Sequence, residues 1–466
     1  MVGENSGLKA AMGMEMQTSI ERTVHLWPKL GTLFFLMAYS MSLAAFSQGK
    51  HPPNILVLVA DDLGWRDVGY HGSEIRTSHL DKLAAAGVRL ERHYVCPTCS
   101  PTRAGLLTGR NPSRFGIHAP IAGRSEQTLP AVTPTLASVL KARGYATALF
   151  GKWHLGLRPE AGPRQYGFEQ TYGYLHGQID QYTHRYKNGD RSWHRNDMFL
   201  DETGHATDLI ADEAVRFLGT SRKEPFFLWV AFSVPHFPLQ EEDKWTAPYA
   251  DSIKDPSRRL CAASVTHMDD AIGRIVEALK RRGQLSETVI LFMSDNGGPD
   301  RYSSETDYEG KHGPYPTLGD NRPLRGWKTE LYEGGVRVPA FTYWRGRLKP
   351  SQLQAPVSYL DWFPTFAHLA DSKTSADWKL EGRNIWSLLS AQNTTLPAST
   401  LYWNIGSAMA VLIDDWKLMV HHQRPSEVEL YHLSEDATES TNLAVQNEAM
   451  VKKLQSAMVV QKSLDP

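Results

Sequence analysis

Three stretches of the chain are apolar without interruption: Asn54-Ile-Leu-Val-Leu-Val-Ala60, Phe226-Phe-Leu-Trp-Val-Ala-Phe232 and Val289-Ile-Leu-Phe-Met-Ser294. Short runs lacking polar alternation predict parallel strands buried on both faces. Between them the period lengthens. Over residues 261–282, Val265, Met268, Ile272, Ile275, Val276 and Leu279 share one face of a helix packed on a sheet. Thr133-Pro134 predicts an N-cap with proline at the first helical position, and Gly144 a stop after Arg143. Alternating strands and helices predict an α/β fold, a doubly wound, mostly parallel sheet flanked by helices. Beyond residue 398 the spacing tightens. Leu401-Tyr-Trp, Met409-Ala-Val-Leu-Ile, Trp416-Lys-Leu-Met-Val and Glu429-Leu-Tyr predict four short antiparallel strands, and a terminal helix follows from about Ala444. The expected organisation is a large domain over 48–397 and a small C-terminal subdomain over 398–466.

Composition agrees with a globular chain: 466 residues, 41% hydrophobic and 22% charged, exceed one ordinary core. A net charge of −1 supplies no global attraction to nucleic acid or an anionic membrane. Binding of an anionic substrate therefore needs a local cluster of cations. The N-terminus departs from the rest. Lys29 precedes an apolar stretch from Leu30 to Phe46 that ends in Ala45-Phe46-Ser47, so residues 1–47 read as a secretory signal outside the fold. A retained anchor is the competing reading, because the stretch approaches the ~18 residues of a span. Either way the chain is exported. One sequon, Asn393-Thr-Thr, tilts the expectation towards a periplasmic or secreted enzyme with no stable span after cleavage, a lysosomal one being the alternative.

Only Cys96, Cys99 and Cys261 are present, an odd number and no disulfide scaffold. Cys96-Pro-Thr-Cys99 is formally a redox pair. More chemistry gathers at the strand ends, where open α/β sheets bind ligands. The first run leads into Asp61-Asp62 and the last into Asp295-Asn296-Gly-Gly. Three carboxylates and an amide suit a hard cation, calcium or magnesium, better than zinc; the plainer reading is turn residues after strands. Ser100-Pro101 looks like a helix start, which puts Cys99 at its amino end, where N–H groups attract anions. Lys152 and His154 share a face just past a strand at 145–150; His236 follows another strand, and Arg325-Gly-Trp-Lys328 adds two more cations.

Cys99-x-Pro101-x-Arg103 with Leu107-Thr-Gly-Arg110 resembles the maturation signature of the sulfatase family, within the alkaline phosphatase superfamily. The likeness continues through Asp61-Asp62-Leu-Gly-Trp, Gly151-Lys-Trp-His-Leu-Gly, Ser294-Asp-Asn-Gly-Gly, Pro323-Leu-Arg-Gly-Trp-Lys and Leu331-Tyr-Glu-Gly-Gly-Val-Arg337. It runs in order over residues 54–444 and is closest to the arylsulfatase B (N-acetylgalactosamine-4-sulfatase) branch. Thr102, where serine is usual, bears only on which maturing enzyme acts. The resemblance implies that a formylglycine-generating enzyme oxidises Cys99 to formylglycine, and that Asp61, Asp62, Asp295, Asn296 and residue 99 hold calcium. It implies that a hydroxyl of the hydrated aldehyde attacks sulfur, favoured by calcium, Arg103 and Lys152. Lys152 and Lys328 would stabilise the sulfuryl oxygens, His236 with Lys328 would protonate the leaving alcohol, and His154 would deprotonate the second hydroxyl. The implied substrate is a sulfated carbohydrate, a galactose-type 4-sulfate at a chain end, or an aryl sulfate. Two polar loops, one carrying His184 and the other running from Pro299 to Asn321, are expected to shape its pocket. A phosphatase or phosphonate monoester hydrolase of the same superfamily is the alternative.

Overall fold

The computed structural model describes residues 52–392, 397 and 399–466. The signal-like stretch 1–47 and the Asn393 sequon lie outside the described residues. Pro52–Pro466 form one compact unit. The three apolar runs become the strands Asn54–Ala60, Phe226–Ala231 and Thr288–Ser294. Asn54–Ala60 lies between the other two, parallel to both. Ala146–Lys152 and then Gln170–Tyr174 continue the parallel set beyond Phe226–Ala231. Antiparallel pairings begin beyond Thr288–Ser294 on one side and beyond Gln170–Tyr174 on the other in this ten-stranded sheet.

Both faces are covered. Ile55, Val57, Val59, Phe227, Trp229, Val289 and Leu291 point into one core, which includes Leu106, Leu136 and Phe366 from helices. Leu56, Leu58, Leu228, Val230, Ile290 and Phe292 point into the other, against Ile210, Phe217, Val265, Met268 and Ile272. That period of two explains why the runs carry no polar residue: each side of the strand meets a layer of helices.

Three element ends differ from the sequence reading. The helix expected from Thr133-Pro134 starts at Leu136, capped by Thr135, whose hydroxyl accepts from Ser138 N while the Ser138 side chain answers the Thr135 N–H. This capping box satisfies two orphan donors; three residues after Thr133 stands Leu136, whose side chain has no acceptor to complete one. The long helix runs Pro256–Arg281, begun by Asp255 and a proline at its first turn. The terminal helix is Glu448–Lys462; Asn442 Oδ1 instead binds Ala444 N and Leu430 N, tying that stretch to a strand.

The C-terminal strands Thr400–Asn404, Ala408–Ile413, Trp416–His421 and Arg424–His432 form the expected four-stranded antiparallel sheet. One face (Leu401, Trp403, Ala410, Met419, Tyr431) joins the main core. The other (Tyr402, Val411, Leu418, Leu430) packs on Val451, Leu454 and Met458 of the terminal helix.

Candidate active site

The carboxyl ends of the parallel strands bring the predicted residues together. Asp61, Asp62, Asp295 and Asn296 are fully buried there. Lys152, which ends its own strand, puts Nζ 2.7 Å from Asp61 Oδ2. Lys328 Nζ lies 2.7 Å from Asp62 Oδ2. Arg103 donates to Asp295 Oδ2 from Nη2 at 2.6 Å and Nε at 3.0 Å, and its Nη1 reaches Lys152 O at 3.0 Å. Three carboxylates thus face three cations, which limits the penalty of burying either set. Gly151 makes the approach possible: with φ at 109°, a Cβ there would fall 1.7 Å from Ala231 O. Asp62 and His154 also take positive φ, 73° and 59°, a strain of about 1 kcal/mol each. Such strain concentrates at functional sites.

Cys99 opens the helix Cys99–Thr108, as its sequence context predicts. Its Sγ lies 3.2 Å from His154 Nδ1, and His154 Nε2 lies 3.0 Å from Ile121 O. A carbonyl only accepts, so Nε2 carries the proton and the Nδ1 lone pair faces residue 99. Ser100 ties the same helix to His154 O at 2.9 Å. His236 is oriented by the reverse logic: Nδ1 donates to Phe237 O at 2.7 Å, leaving Nε2 facing Asp62 Oδ2 at 3.7 Å.

Burial raises the Cys99 thiol, with Lys152 and Lys328 opposing, and pushes Cys96 up to about 12. Both cysteines are free; Cys96 Sγ instead lies 3.1 Å from Tyr359 OH. A redox pair needs a low thiol pKa and access to solvent, and neither is present. Burial, then Lys152, holds His154 well below its ordinary range, and burial, then Lys328, does the same to His236. Lys328 is raised against its burial by Asp62. Burial also pushes Asp61 up, against the pull of Lys152.

The donor set fits a hard cation. Asp61 Oδ1 and Asn296 Oδ1 are buried without a hydrogen-bond partner. Asn296 Nδ2 is turned to Asp62 Oδ1 at 2.7 Å, which aims its oxygen the other way. Carboxylate and amide oxygens left unpaired in a dry site are what calcium or magnesium requires. His236 lies with Asp61 and Asp62 in the same cluster, their candidate ligand atoms within 4.8 Å of one another.

His184 does not join this group. Its ring is buried, stacks on Trp193 with centroids 4.5 Å apart, and places Nε2 3.0 Å from Gly204 O. It braces from within the loop that was expected to shape the pocket. The structure adds residues that sequence did not single out. Gly177 sits against the His154 ring, where a Cβ would come within 2.4 Å. Asn321 Oδ1 accepts from Trp65 N and Gly298 N while its Nδ2 donates to Gly298 O and Gly326 O, locking together the segments behind Asp62, Asn296 and Lys328. A lone asparagine or glycine in a polar loop carries no signal of such a role.

With this geometry the chain can be compared with known proteins. The Sulfatase family model matches residues 53–372. Arylsulfatase J of Mus musculus is 34% identical over 412 residues, 80% of this chain but only 65% of that protein's length. N-acetylgalactosamine-6-sulfatase of Homo sapiens is 31% identical over 394 residues, 80% of this chain and 72% of that protein. The crystal structure of Ps i-CgsB superposes with a TM-score of 0.80 at 31% identity, over 89% of this chain and 94% of that one. The same protein has been solved with k-i-k-neocarrahexaose, matching at a TM-score of 0.79 and 30% identity. The matched region contains every strand end described above except those of the C-terminal sheet, and on these grounds the chain belongs to the sulfatase family.

Proposed function

We propose that the protein is an exported, formylglycine-dependent sulfuric ester hydrolase that uses calcium and acts on sulfated carbohydrates. One observation carries this reading. Cys99 stands at a helix N-terminus against the unprotonated nitrogen of His154, beside a buried cluster whose Asp61 Oδ1 and Asn296 Oδ1 lack donors. A raised, buried thiol is a poor nucleophile as it stands. The sulfur marks the place of the oxygens that a formylglycine would carry, and the hydrate of that aldehyde supplies an oxygen nucleophile. Calcium, held by Asp61, Asp62, Asp295, Asn296 and residue 99, would supply positive charge towards the sulfuryl oxygens.

The chain's own side chains then divide the work. Lys152, which is buried, and Lys328, which is partly exposed, bring fixed positive charge to the sulfate site. Arg103 holds Asp295 in place through two hydrogen bonds. His154 accepts a proton from residue 99 at Nδ1, the tautomer set by Ile121 O. His236 Nε2 and Lys328 Nζ converge on Asp62 Oδ2; Lys328 carries a proton for a leaving alcohol as the site stands, and His236 serves as a donor once Nε2 has taken one up.

The substrate class rests on relatives. Two of the proteins similar to this chain are named for or solved with sugars, N-acetylgalactosamine-6-sulfatase and Ps i-CgsB with its neocarrahexaose. A galactose-type 4-sulfate at a chain end is the specific proposal. The test is mass spectrometry across residues 93–103 of active protein, together with sulfate release from a panel of defined sulfated oligosaccharides. The expected result is an aldehyde at position 99 and turnover of at least one sugar sulfate. Full activity with an unmodified thiol at Cys99 would overturn the mechanism, and turnover of phosphate esters alone would favour the phosphatase alternative.

A further inference from the structure

A group that protonates the departing alcohol must touch it, so whatever adjoins His236 and Lys328 also meets the part of the substrate that leaves. Two aromatic rings adjoin them. The Phe237 ring lies 4.3 Å from the His236 ring, centroid to centroid, and Lys328 Nζ lies 5.9 Å from the Phe237 centroid. Tyr302 stacks on Phe237, with centroids 3.3 Å apart and planes 16° from parallel. Both rings are partly exposed, whereas His236, Leu239 and Tyr315 around them are buried.

This pair is built and held from behind. Tyr302 and Tyr315 exchange backbone hydrogen bonds of 2.9 and 2.7 Å, and Leu239 N donates to Tyr315 OH at 3.2 Å. The Tyr302 hydroxyl donates to Asp307, which Lys187 also holds at 3.2 Å. His312 Nε2 joins Asp180 at 3.0 Å, fastening the 299–321 loop to the segment that passes over His154. Within that segment Gln178 follows Gly177 and lies beside the Tyr302 and Tyr308 hydroxyls. Gln178 Nε2 and the Tyr308 hydroxyl are both buried without a partner. An ordered aromatic face next to unpaired polar atoms is the surface that a sugar ring matches, apolar on one side and hydroxylated at its rim.

Resting on the sulfatase reading above, we propose that Phe237 and Tyr302 form a stacking shelf for a cyclic leaving alcohol, a pyranose, with Gln178 Nε2 hydrogen-bonding one of its hydroxyls. Phe237 and Tyr302 act by positioning the ring that His236 serves; they take no part in proton transfer. The His236 anchor on residue 237 is a backbone carbonyl, so replacing that side chain leaves it in place.

The test compares wild type with Phe237→Ala, Tyr302→Ala and Gln178→Ala on a pyranoside sulfate and on an aryl sulfate, with inorganic sulfate as competitive inhibitor. The shelf predicts that both aromatic variants raise KM about 10-fold on both ring-bearing esters with little change in kcat. Gln178→Ala should raise KM on the pyranoside alone. The Ki of inorganic sulfate, which lacks a ring, should stay at the wild-type value in all three. Unchanged KM, or a Ki rising in step with KM, would overturn the shelf, the latter showing general damage to the site. Should the wild type release phosphate rather than sulfate, the reaction assignment falls, while the same KM shift on ring-bearing phosphate esters still supports the shelf.

Discussion

Two buried charge clusters in this molecule share an inventory and differ in how they close. At the edge of the main sheet, Asp61, Asp62 and Asp295 face Lys152, Lys328 and Arg103. Under the C-terminal sheet, Glu333 and Glu439 face Lys417, at 2.9 and 2.8 Å. In the second cluster every carboxylate oxygen faces a cation or a donor: Glu333 Oε2 accepts from Tyr94 OH at 2.9 Å, Glu439 Oε2 from Glu333 N at 2.6 Å, and Glu439 Oε1, which makes no hydrogen bond of good geometry, still lies 2.8 Å from Lys417 Nζ in an ion pair. In the first, Asp61 Oδ1 and Asn296 Oδ1 are left without donors. Burial is equally severe in both, since all these carboxylates and Lys417 are essentially inaccessible. A closed cluster fixes structure. An open one pays a desolvation penalty that only a ligand can relieve, and that difference separates a latch from a site better than charge or burial does.

Variants that break each cluster should therefore fail in different ways. The largest effect is expected from Cys99→Ala beside the open cluster. It removes the group proposed to carry the chemistry and, of the side-chain hydrogen bonds, only the contact with His154. Sulfate release should fall by more than about 10⁴-fold, while circular dichroism and the urea midpoint stay near wild type. Turnover within a factor of about 10 of wild type would show that residue 99 is not the nucleophile's site.

Lys417→Met should do the opposite. It leaves Glu333 and Glu439 buried side by side without their shared cation, and removing one member of a buried ion set costs about 3–5 kcal/mol. Equilibrium unfolding in urea measures this. The folded fraction should keep its kcat, because Lys417 lies on a strand of the C-terminal sheet and contacts none of the catalytic side chains. A stability change near zero would mean that the cluster is not closed as described.

The contrast also shows what could be read from sequence. The open cluster was legible because its members end apolar runs or begin a helix: Asp61-Asp62, Asp295-Asn296, Cys99 and Lys152 each sit at a punctuation mark in the hydrophobic pattern. The latch was not. Lys417 sits in an alternating strand, where a lysine reads as solvent-facing, yet it shares the inward face with Met419. Its partners lie 84 positions away at Glu333 and in the turn at Glu439. Arg258 with Asp67, at 2.6 Å across 191 positions, was hidden for the same reason. Local spacing carries no information on which distant loop comes to rest against a face. The Thr133 cap failed more locally: two threonines flank Pro134, and only Thr135 has a Ser three residues on to complete a box. His184 belongs to a polar loop, and sequence carries no sign that Trp193 and Gly204 bury its ring.

If the open cluster awaits a cation, the cation should stabilise it. Calcium added to metal-stripped protein is expected to raise stability by about 2.7 kcal/mol at a hundredfold excess over Kd, read as a shift in Tm. Asp61→Asn and Asn296→Ala should lose most of that shift, and Lys417→Met should keep it. A larger shift with zinc than with calcium would contradict the all-oxygen donor set.

The smallest effect expected comes from a third cluster, which lies between the two extremes and closes with a proton. His267 is buried between Glu241, whose Oε2 is 2.9 Å from Nδ1, and Asp208, whose Oδ1 is 3.3 Å from Nε2, with His205 and Trp245 against its ring. Burial opposes its charge, but the two carboxylates win and push it up to about 9 from an ordinary 6.5. A histidine raised on folding contributes stability that is fully present below its unfolded value and is lost as pH rises through the folded one. Here that window runs from about 6.5 upward through about 9. The expected loss between neutrality and the folded value is about 2 kcal/mol, smaller than the whole shift because titration in the unfolded chain has already begun. Arg274, also paired with Asp208, keeps its charge throughout and does not blur the transition. Urea denaturation across that range should show the loss in wild type and a flatter profile in His267→Gln, which keeps a hydrogen-bonding side chain but cannot titrate. Identical profiles in the two proteins would mean that the imidazole is neutral already at neutral pH, and that this cluster is held together by something other than its own charges.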